Sequence, residues 1–343
     1  MKIIVDDEIP YIKGVLEPYA DVEYIPGNLI VRESLSGADA LLVRTWTVCD
    51  EKLLSGSGVR FVATATAGIN HIDTEWCRRN GIITANAPGC NAMGVVQYLF
   101  TSLFHVAERK GIVLKGKKLG IIGAGNIGGR AAALAGRFGM VPVVCDPPRA
   151  AAEGPEGFCS LDELLGVSDI VTLHVPLYKG TYKMADANFF SKIPKNAIFV
   201  NASRGDVVDE DALLAVRDRL SALILDVWHD EPRVSEKLIA SADVSTPHIA
   251  GYTLAGKLNA TAAVVRAFAR FASIPQLEGF YPVGNFAADD VSRHLDISGS
   301  QEEIARRLSD IFPVEAESSL LKGSPGEFGR LRSEYRYRAE FYV

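Results

Sequence analysis

A glycine-rich turn between an apolar run and a helical pattern constrains the fold of this chain more than any other feature. The Gly-x-Gly-x-x-Gly run at 123–128 directly follows the apolar stretch 119–122 and opens a helical pattern. In such a turn the first glycine permits a tight bend, the second lets backbone approach a pyrophosphate, and the third allows close packing of helix and strand. The amino end of the helix adds free N–H donors. This context predicts a dinucleotide site that includes Gly123, Gly125, Asn126, Ile127 and Gly128.

An acidic residue stands where such a site needs one. Asp146 closes the apolar run 141–145, about 20 residues beyond the last glycine, a distance typical of the carboxylate that binds the adenosine ribose. A carboxylate there repels the 2′-phosphate of NADP and favours NAD, whereas nearby Arg149 is the residue type that accepts that phosphate. A helix N-cap is the alternative role for Asp146. We expect NAD as the cofactor.

Short apolar runs alternate with helical patterns along the chain, which is typical of α/β proteins with parallel sheets. Strands are predicted at 2–5, 38–43, 61–65, 119–122, 141–145, 169–173, 197–201, 222–225 and near 244. Helices are predicted at 10–18, 72–80, 93–109, 127–138, 161–165, 210–216 and 253–271. The later strands lack a clean polar and apolar alternation, as expected when helices cover both faces of a sheet. The predicted fold class is therefore α/β, with two Rossmann-like, doubly wound parallel-sheet domains.

The chain is expected to form three domains. Residues 1–92 lack a glycine fingerprint and should do something other than hold a cofactor, whereas residues 93–252 carry the dinucleotide site. Prolines and glycines between 275 and 284 mark a boundary, beyond which residues 279–343 form a small α+β domain. Because about 60 residues is marginal for an independent core, this last domain is expected to pack on the main body or on a second subunit.

Composition and charge argue against several classes of partner. The formal net charge of −6 gives no overall attraction to nucleic acid or to an anionic membrane. The most apolar long stretch, 94–107, falls short of the roughly 20 residues that span a bilayer. The five cysteines form no Cys-x-x-Cys pair, so neither a disulfide framework nor a metal site is expected. We expect a cytoplasmic protein with no nucleic-acid, membrane or metal partner.

Three segments, at 201–205, 226–232 and 246–251, follow the later strands of the second predicted sheet. Ligands bind beyond the carboxyl ends of parallel strands, so these segments are expected to bring an arginine, a carboxylate and a histidine together. Reversible oxidation of a 2-hydroxy acid needs such a set. His248 is predicted to exchange the hydroxyl proton, Glu231 to orient the imidazole, and Arg204 to bind the substrate carboxylate. Taken singly, each residue has a structural alternative, such as a core histidine or a turn.

At these residues the chain resembles the D-2-hydroxyacid dehydrogenase family, over residues 1 to about 271. The Arg-Glu-His order, the glycine turn and the preceding domain without one carry the resemblance. It implies that residues 1–92, completed by a helix at 253–273, bind substrate, and that residues 279–343 form the dimerisation domain of a homodimer. Further motifs, at 43–47, 64–73, 87–92, 145–150 and 248–253, imply a phosphorylated 2-hydroxy acid as substrate.

The position of one turn in the predicted sheet, and separately the resemblance, indicate particular contacts. The turn after the strand at 169–173 is expected to line the adenine pocket, which adds Val175 to the cofactor site. Further cofactor contacts are implied for Ala202, Ser203, Arg204, Asp226 and Gly251. Substrate contacts are implied for Thr45, Thr66 and Tyr252.

A phosphorylated substrate carries a second anionic group and requires a second cation besides Arg204. Arg44 is the first candidate. The tail arginines, for which a solvated helix face is the favoured interpretation, are the alternative: Arg330, Arg332, Arg336 and Arg338. For the whole protein, another member of the family, such as one acting on 3-phosphoglycerate, is the nearest alternative. A non-catalytic NAD-sensing dimer is an alternative of a different class, because fold does not fix function.

Overall fold

The computed structural model describes all residues from Met1 to Val343. Its β-strands are β1 (Lys2–Asp6), β2 (Asp21–Ile25), β3 (Ala40–Val43), β4 (Phe61–Thr64), β5 (Ile83–Ala85), β6 (Lys118–Ile122), β7 (Val141–Cys145), β8 (Ile170–Leu173), β9 (Ile198–Asn201), β10 (Ala222–Leu225), β11 (Val244–Ser245), β12 (Ser292–His294) and β13 (Glu340–Tyr342). Its α-helices are α1 (Glu51–Leu54), α2 (Thr74–Arg79), α3 (Ala92–Lys110), α4 (Gly128–Arg137), α5 (Pro147–Glu153), α6 (Leu161–Val167), α7 (Ala187–Lys192), α8 (Glu210–Ala215), α9 (Glu236–Ser241), α10 (Leu254–Ala272), α11 (Ala288–Val291), α12 (Gln301–Ile311), α13 (Val314–Gly323) and α14 (Phe328–Ser333).

The chain divides into two units, one of residues 1–91 and 254–287 and one of residues 92–253 and 288–343. The first unit contains a five-stranded parallel sheet with the order β2-β1-β3-β4-β5. Strands β3 and β4 are buried throughout, which explains their continuous apolar sequences. Helix α10 packs on this sheet, and its Phe268 meets Phe61 of β4 at a ring-centroid distance of 6.1 Å.

The helix predicted at 10–18 is wrong, because the structure has successive turns there. Gly14 has a φ of +82° and Tyr11 a φ of +61°, values that no right-handed helix accommodates. The apolar side chains of Ile12 and Leu16 are nevertheless buried, so the spacing that resembles a helix comes from a folded loop. The prediction also missed β2 and β5, which are short strands at the two edges of the sheet.

The second unit contains a six-stranded parallel sheet with the order β11-β10-β9-β8-β6-β7. The chain runs from β6 outward to β7 and then returns to the other side of β6 to form β8. This reversal is the topological switch point at which open α/β sheets bind ligands. Six predicted strands of this unit are present, with boundaries that shift by at most a residue or two.

The tail of the chain belongs to the second unit from residue 288 onward, whereas residues 279–287 belong to the first unit. Strands β12 and β13 form a two-stranded parallel sheet, helix α12 packs against α3, and α13 packs against β11. Leu308, Phe312 and Phe341 of the tail belong to the same apolar core as Tyr98 and Leu99 of α3. The tail is thus α+β in content and covers the dinucleotide unit, and its role in dimerisation stays a prediction. None of the helices combines the length and hydrophobicity that a membrane span requires.

Candidate active site

The glycine turn at 123–128 links β6 to α4 at the switch point. Gly123 has a φ of +90°, and a Cβ there would lie 2.6 Å from the carbonyl oxygen of His174. A Cβ on Gly128 would collide with the carbonyl oxygen of Gly123. A Cβ on Gly125 would meet open space, so this glycine leaves backbone bare to an incoming group. Asn126 is exposed beside it. The turn therefore has the properties that a pyrophosphate requires.

Asp146 combines both roles considered for it from the sequence. Its Oδ1 accepts a hydrogen bond of 3.0 Å from the N–H of Arg149 and so caps α5, while its Oδ2 accepts one of 2.7 Å from the N–H of Ala124 in the glycine turn. The Arg149 guanidinium donates to the carbonyl of Ala124 at 2.7 Å and pairs with Glu153 at 2.5 Å. The carboxylate thus lies beside the turn, where an adenosine ribose would need it, and Arg149 is engaged with protein groups.

The turn after β8 adjoins the glycine turn. The N–H of His174 donates to the carbonyl of Ile122 at 2.8 Å, and Val175 lies 3.0 Å from the position of a Cβ on Gly123. Val175 is therefore where the sequence places it, next to the dinucleotide turn. His174 is partly buried, its Nδ1 is buried without a hydrogen-bond partner, its Nε2 lies 3.1 Å from Thr172 Oγ1, and burial lowers the pKa of this histidine to about 4.

Glu231 and His248 form the pair that the sequence predicts. Glu231 Oε2 lies 2.8 Å from His248 Nδ1, and its Oε1 accepts a hydrogen bond of 3.1 Å from the N–H of Trp228. Burial acts to raise the pKa of Glu231, but His248, Arg332 and the Trp228 N–H outweigh burial and hold that pKa below its usual value. The carboxylate is thus ionised and orients the imidazole through Nδ1. This leaves Nε2, which makes no hydrogen bond within the protein, for a reacting group.

The backbone of His248 adopts an unusual conformation that the surrounding loop enforces. Its φ is +57°, in the left-handed region that non-glycine residues rarely occupy. The N–H of His248 donates to the carbonyl of Asp226 at 2.8 Å. The buried Asp226 carboxylate accepts hydrogen bonds from the N–H groups of Ile249 and Ala250 at 2.8 and 2.9 Å, and Thr246 Oγ1 lies 2.7 Å from it. Asp226 thus fixes the loop that presents His248, and its contact with the cofactor stays a prediction.

Arg204 follows β9 and lies near the same pair. A Cβ on Gly205 would collide with the backbone of Trp228, so the turn that carries Arg204 packs directly against the segment that carries Glu231. The guanidinium donates one hydrogen bond, to the carbonyl of Ser203 at 2.6 Å. Burial lowers the pKa of Arg204, although an arginine so placed remains charged near neutral pH. The structure therefore brings Arg204, Glu231 and His248 together.

Two tail arginines enter this region, and the prediction of a solvated helix face is wrong for both. Arg332 Nη1 lies 3.6 Å from Glu231 Oε2, and its Nε donates to the Tyr252 hydroxyl at 3.2 Å. Arg338 is buried and donates to backbone carbonyls after His248. No local sequence signal marks these contacts, because their partners lie about 80 or more residues away in the chain.

The remaining predicted substrate residues lie in the first unit. Arg44 and Thr45 directly follow β3, and Thr66 follows β4, so all three lie at the carboxyl edge of that sheet. Arg44 forms an ion pair with the Glu8 carboxylate, and Thr45 is exposed. Thr66 Oγ1 donates to the carbonyl of Gly68 at 2.8 Å.

Comparison with known proteins gives a consistent result. Residues 102–250 match the family model of the NAD-binding domain of D-isomer specific 2-hydroxyacid dehydrogenases. The erythronate-4-phosphate dehydrogenases of Yersinia pestis (strain Pestoides F) and Yersinia pseudotuberculosis (serotype O:1b, strain IP 31758) are 42% identical to this chain over 355 residues, covering 99% of it and 93% of each relative.

Solved structures share the fold. D-lactate dehydrogenase from Aquifex aeolicus, complexed with NAD and lactic acid, is 26% identical with a TM-score of 0.70, and the match covers 83% of this chain and 100% of that one. NAD⁺-bound 3-phosphoglycerate dehydrogenase of Entamoeba histolytica is 26% identical with a TM-score of 0.67, over 84% of this chain and 99% of that one. These similarities confirm the predicted α/β fold with Rossmann-type parallel sheets.

Proposed function

The chain belongs to the erythronate-4-phosphate dehydrogenase family, within the D-2-hydroxyacid dehydrogenases, and we propose that it oxidises 4-phospho-D-erythronate to 2-oxo-3-hydroxy-4-phosphobutanoate. This reaction serves the biosynthesis of pyridoxal 5′-phosphate, vitamin B6. The observation that carries the proposal is the 2.8 Å pairing of His248 with Glu231 beside Arg204, in a chain 42% identical to enzymes of that name.

NAD is the cofactor, as predicted from the glycine turn and as the family model and the NAD-bound relatives support. When bound, it accepts the hydride from C2 of the substrate. We propose that the glycine turn and the amino end of α4 hold its pyrophosphate, and that Asp146 binds the adenosine ribose hydroxyls. The residues proposed to line its site are Gly123, Gly125, Asn126, Ile127, Gly128, Asp146, Val175, Ala202, Ser203, Arg204, Asp226 and Gly251.

His248 removes the proton from the C2 hydroxyl. With Nδ1 held by the ionised Glu231, the neutral imidazole carries its proton on Nδ1 and its lone pair on Nε2. Nε2 therefore accepts the hydroxyl proton, and the resulting imidazolium faces a carboxylate that stabilises it. In the reverse direction the same nitrogen returns the proton to the 2-oxo group.

Arg204 binds the substrate carboxylate through its planar, two-pronged guanidinium, whose one hydrogen bond within the protein leaves most of its donors available. We also propose that Thr45, Thr66 and Tyr252 contact the substrate and that Arg44 adds positive charge on the side of the first unit. These substrate contacts rest on the family resemblance and on the position of Thr45 and Thr66 at a sheet edge.

The protein is further proposed to work as a homodimer in the cytoplasm. Residues 279–343 would pair the subunits, and a reducing compartment suits a chain whose five cysteines are all free. Sedimentation equilibrium of the purified chain measures the subunit number directly. A monomer at micromolar concentration would remove the dimerisation role from the tail.

Product detection by mass spectrometry tests the reaction. Purified protein is incubated with NAD and one of three substrates: 4-phospho-D-erythronate, 3-phosphoglycerate or D-lactate. A 2-oxo acid is added as an acceptor that reoxidises NADH, because tightly bound NADH would otherwise hide turnover. Oxidation of the erythronate phosphate alone is the expected result. Oxidation of another hydroxy acid instead would keep the family and the proton-transfer residues but refute this substrate. Binding of NAD without any reaction would favour a non-catalytic NAD sensor.

A further inference from the structure

Arg332 lies beside the proton-transfer pair although it comes from the tail. It stands in α14. Phe328 of this helix is buried in an apolar core of the second unit, and Leu331 packs against the same core. Its Nη1 lies 3.6 Å from Glu231 Oε2, and its Nε donates to the Tyr252 hydroxyl at 3.2 Å. The side chain is 21% exposed, so the guanidinium is held in place and still reaches solvent.

Two guanidinium groups lie near the Glu231 carboxylate. The Glu231 carboxylate interacts with the guanidinium groups of both Arg204 and Arg332, and Arg332 lies close enough to Arg204 to help lower the pKa of that guanidinium. The Asp226 carboxylate also favours the charged form of Arg332, but it accepts hydrogen bonds from the N–H groups of Ile249 and Ala250 and forms no direct ion pair with either arginine. The site therefore has two guanidinium groups, one more than a single substrate carboxylate requires.

Arg332 also has unused donors. Its contact with Glu231 is longer than a hydrogen bond, and its only hydrogen bond runs from Nε to Tyr252, so the two terminal nitrogens remain available to a ligand. By contrast, Arg44 is paired with Glu8, and Arg338 is saturated by backbone carbonyls and Gln97. A planar guanidinium whose two terminal nitrogens make no hydrogen bond within the protein is well suited to a phosphate.

We propose that Arg332 binds the phosphate group of the substrate while Arg204 binds the carboxylate at the other end. The inference rests on the proposed function, because it names the group that recognises the phosphate of 4-phospho-D-erythronate. The Tyr252 hydroxyl accepts the Nε–H of Arg332 and so fixes the plane of the guanidinium. The substrate is thereby held at both ends by cations of the same unit that carries His248.

Substitution combined with a truncated substrate tests this role. The test compares kcat/KM for 4-phospho-D-erythronate with kcat/KM for D-erythronate. In Arg332→Gln the ratio of the two is expected to fall roughly 100-fold, because a charge-assisted pair of hydrogen bonds contributes about this factor. Arg332→Lys should retain part of the ratio, because an ammonium still attracts phosphate as a point charge. Arg330→Gln is the matched control, since Arg330 lies on the same helix and pairs only with Glu327 and Glu334.

Arg204→Lys provides the opposite comparison. Both substrates carry the carboxylate, so this substitution is expected to lower kcat/KM for both by a similar factor and to leave their ratio near the wild-type value. If Arg332→Gln instead lowers kcat/KM equally for both substrates and shifts the pH profile of kcat, the residue positions Glu231 and does not bind phosphate. If the ratio collapses in Arg204→Lys and not in Arg332→Gln, the two assignments are exchanged and the proposal is overturned.

Direct binding separates this inference from the proposed reaction. Calorimetric titration with inorganic phosphate in the presence of NADH is expected to give a dissociation constant at least tenfold higher for Arg332→Gln than for wild type or Arg330→Gln. Equal constants refute the phosphate site even if the enzyme oxidises 4-phospho-D-erythronate. If Arg332→Gln binds phosphate more weakly than wild type, but the wild-type enzyme oxidises only a different phosphorylated hydroxy acid, the phosphate site is supported and 4-phospho-D-erythronate is refuted as the substrate. Thermal unfolding of each variant verifies that it is folded.

Discussion

Arg338 donates a hydrogen bond of 3.0 Å from Nη1 to the carbonyl oxygen of Ile249, the residue that directly follows the proposed base His248. The same buried guanidinium donates to the carbonyl of Ala250 and, at 3.0 Å, to that of Gly94 in α3. A residue of the tail therefore ties the loop of the active site to the central helix. Because Asp226 holds the N–H groups of this loop and Arg338 its carbonyls, the loop is fixed from both sides.

Arg338→Met is expected to destabilise the second unit strongly. Methionine is long enough to fill most of the space but leaves several buried carbonyl groups without a donor, each of which costs about 1–3 kcal/mol. The free energy of unfolding, measured with urea, should fall by about 3 kcal/mol or more, and kcat should fall with it because the loop of His248 loses its support. Arg336→Met, at an exposed position two residues earlier, is the control. Equal unfolding free energies for the two variants would contradict this role of Arg338.

Glu231→Gln is expected to lower kcat by roughly 10³-fold while NAD binding stays near the wild-type value. The glutamine preserves volume, but it removes the negative charge that fixes the Nδ1–H tautomer and stabilises the imidazolium. His248→Ala should have a similar effect on turnover. Steady-state kinetics give kcat, and quenching of protein fluorescence by NADH gives the dissociation constant. A parallel loss of turnover and of NADH affinity in both variants would indicate a structural role for the pair.

Asp146→Ser tests the origin of NAD specificity. Serine still caps α5, so helix stability is largely preserved, but the charge beside the glycine turn is lost. The affinity for NAD is expected to fall by about tenfold, and the preference for NAD over NADP should shrink because nothing then repels the 2′-phosphate. Asp186→Ser is the matched control, since Asp186 caps α7 through the N–H of Phe189 in the same way. Calorimetric titration with each dinucleotide measures the effect, and an unchanged preference would place the discrimination in other residues.

Local sequence signals were sufficient to predict the positions of site residues that lie at the ends of strands. Gly123 and Asp146 directly follow the parallel strands β6 and β7, and Arg204 comes three residues after β9, so the position of the strand fixes the position of each residue. The pairing of Glu231 and His248 follows from the same rule, because neighbouring strands end at one edge of the sheet.

The sequence alone could not predict the positions of residues that depend on contacts between distant segments of the chain. Arg332 and Arg338 look like ordinary residues of a polar tail, and only the packing of residues 288–343 on the second unit brings them to the active-site loop. In the first unit, apolar spacing at 10–18 predicted a helix, whereas turns bury Ile12 and Leu16 with the same spacing. Periodicity reports which side chains are buried, and it does not by itself distinguish a helix from a loop that buries the same positions.

His174 makes a specific contribution to the dependence of stability on pH. Burial lowers its pKa from the usual 6.5 to about 4, so between these values the unfolded chain binds a proton that the folded protein does not. The free energy of unfolding therefore decreases as the pH falls from about 6.5 to about 4, by roughly 2–3 kcal/mol from this group. In His174→Asn this part of the decrease should be absent. Urea unfolding at half-unit pH intervals measures the slope.

Other groups titrate in the same interval, and the comparison between variants isolates His174. His105 also has a pKa lowered by burial, so the wild-type slope is expected to exceed that of His174→Asn without the variant becoming independent of pH. His294→Asn is the control, because the imidazole of His294 is exposed and meets water in both the folded and the unfolded state. If the free energy of unfolding has the same pH slope in His174→Asn as in wild type, the imidazole next to the glycine turn takes up its proton without unfolding. The loop after β8 would then have to open in acid to let water reach Nδ1.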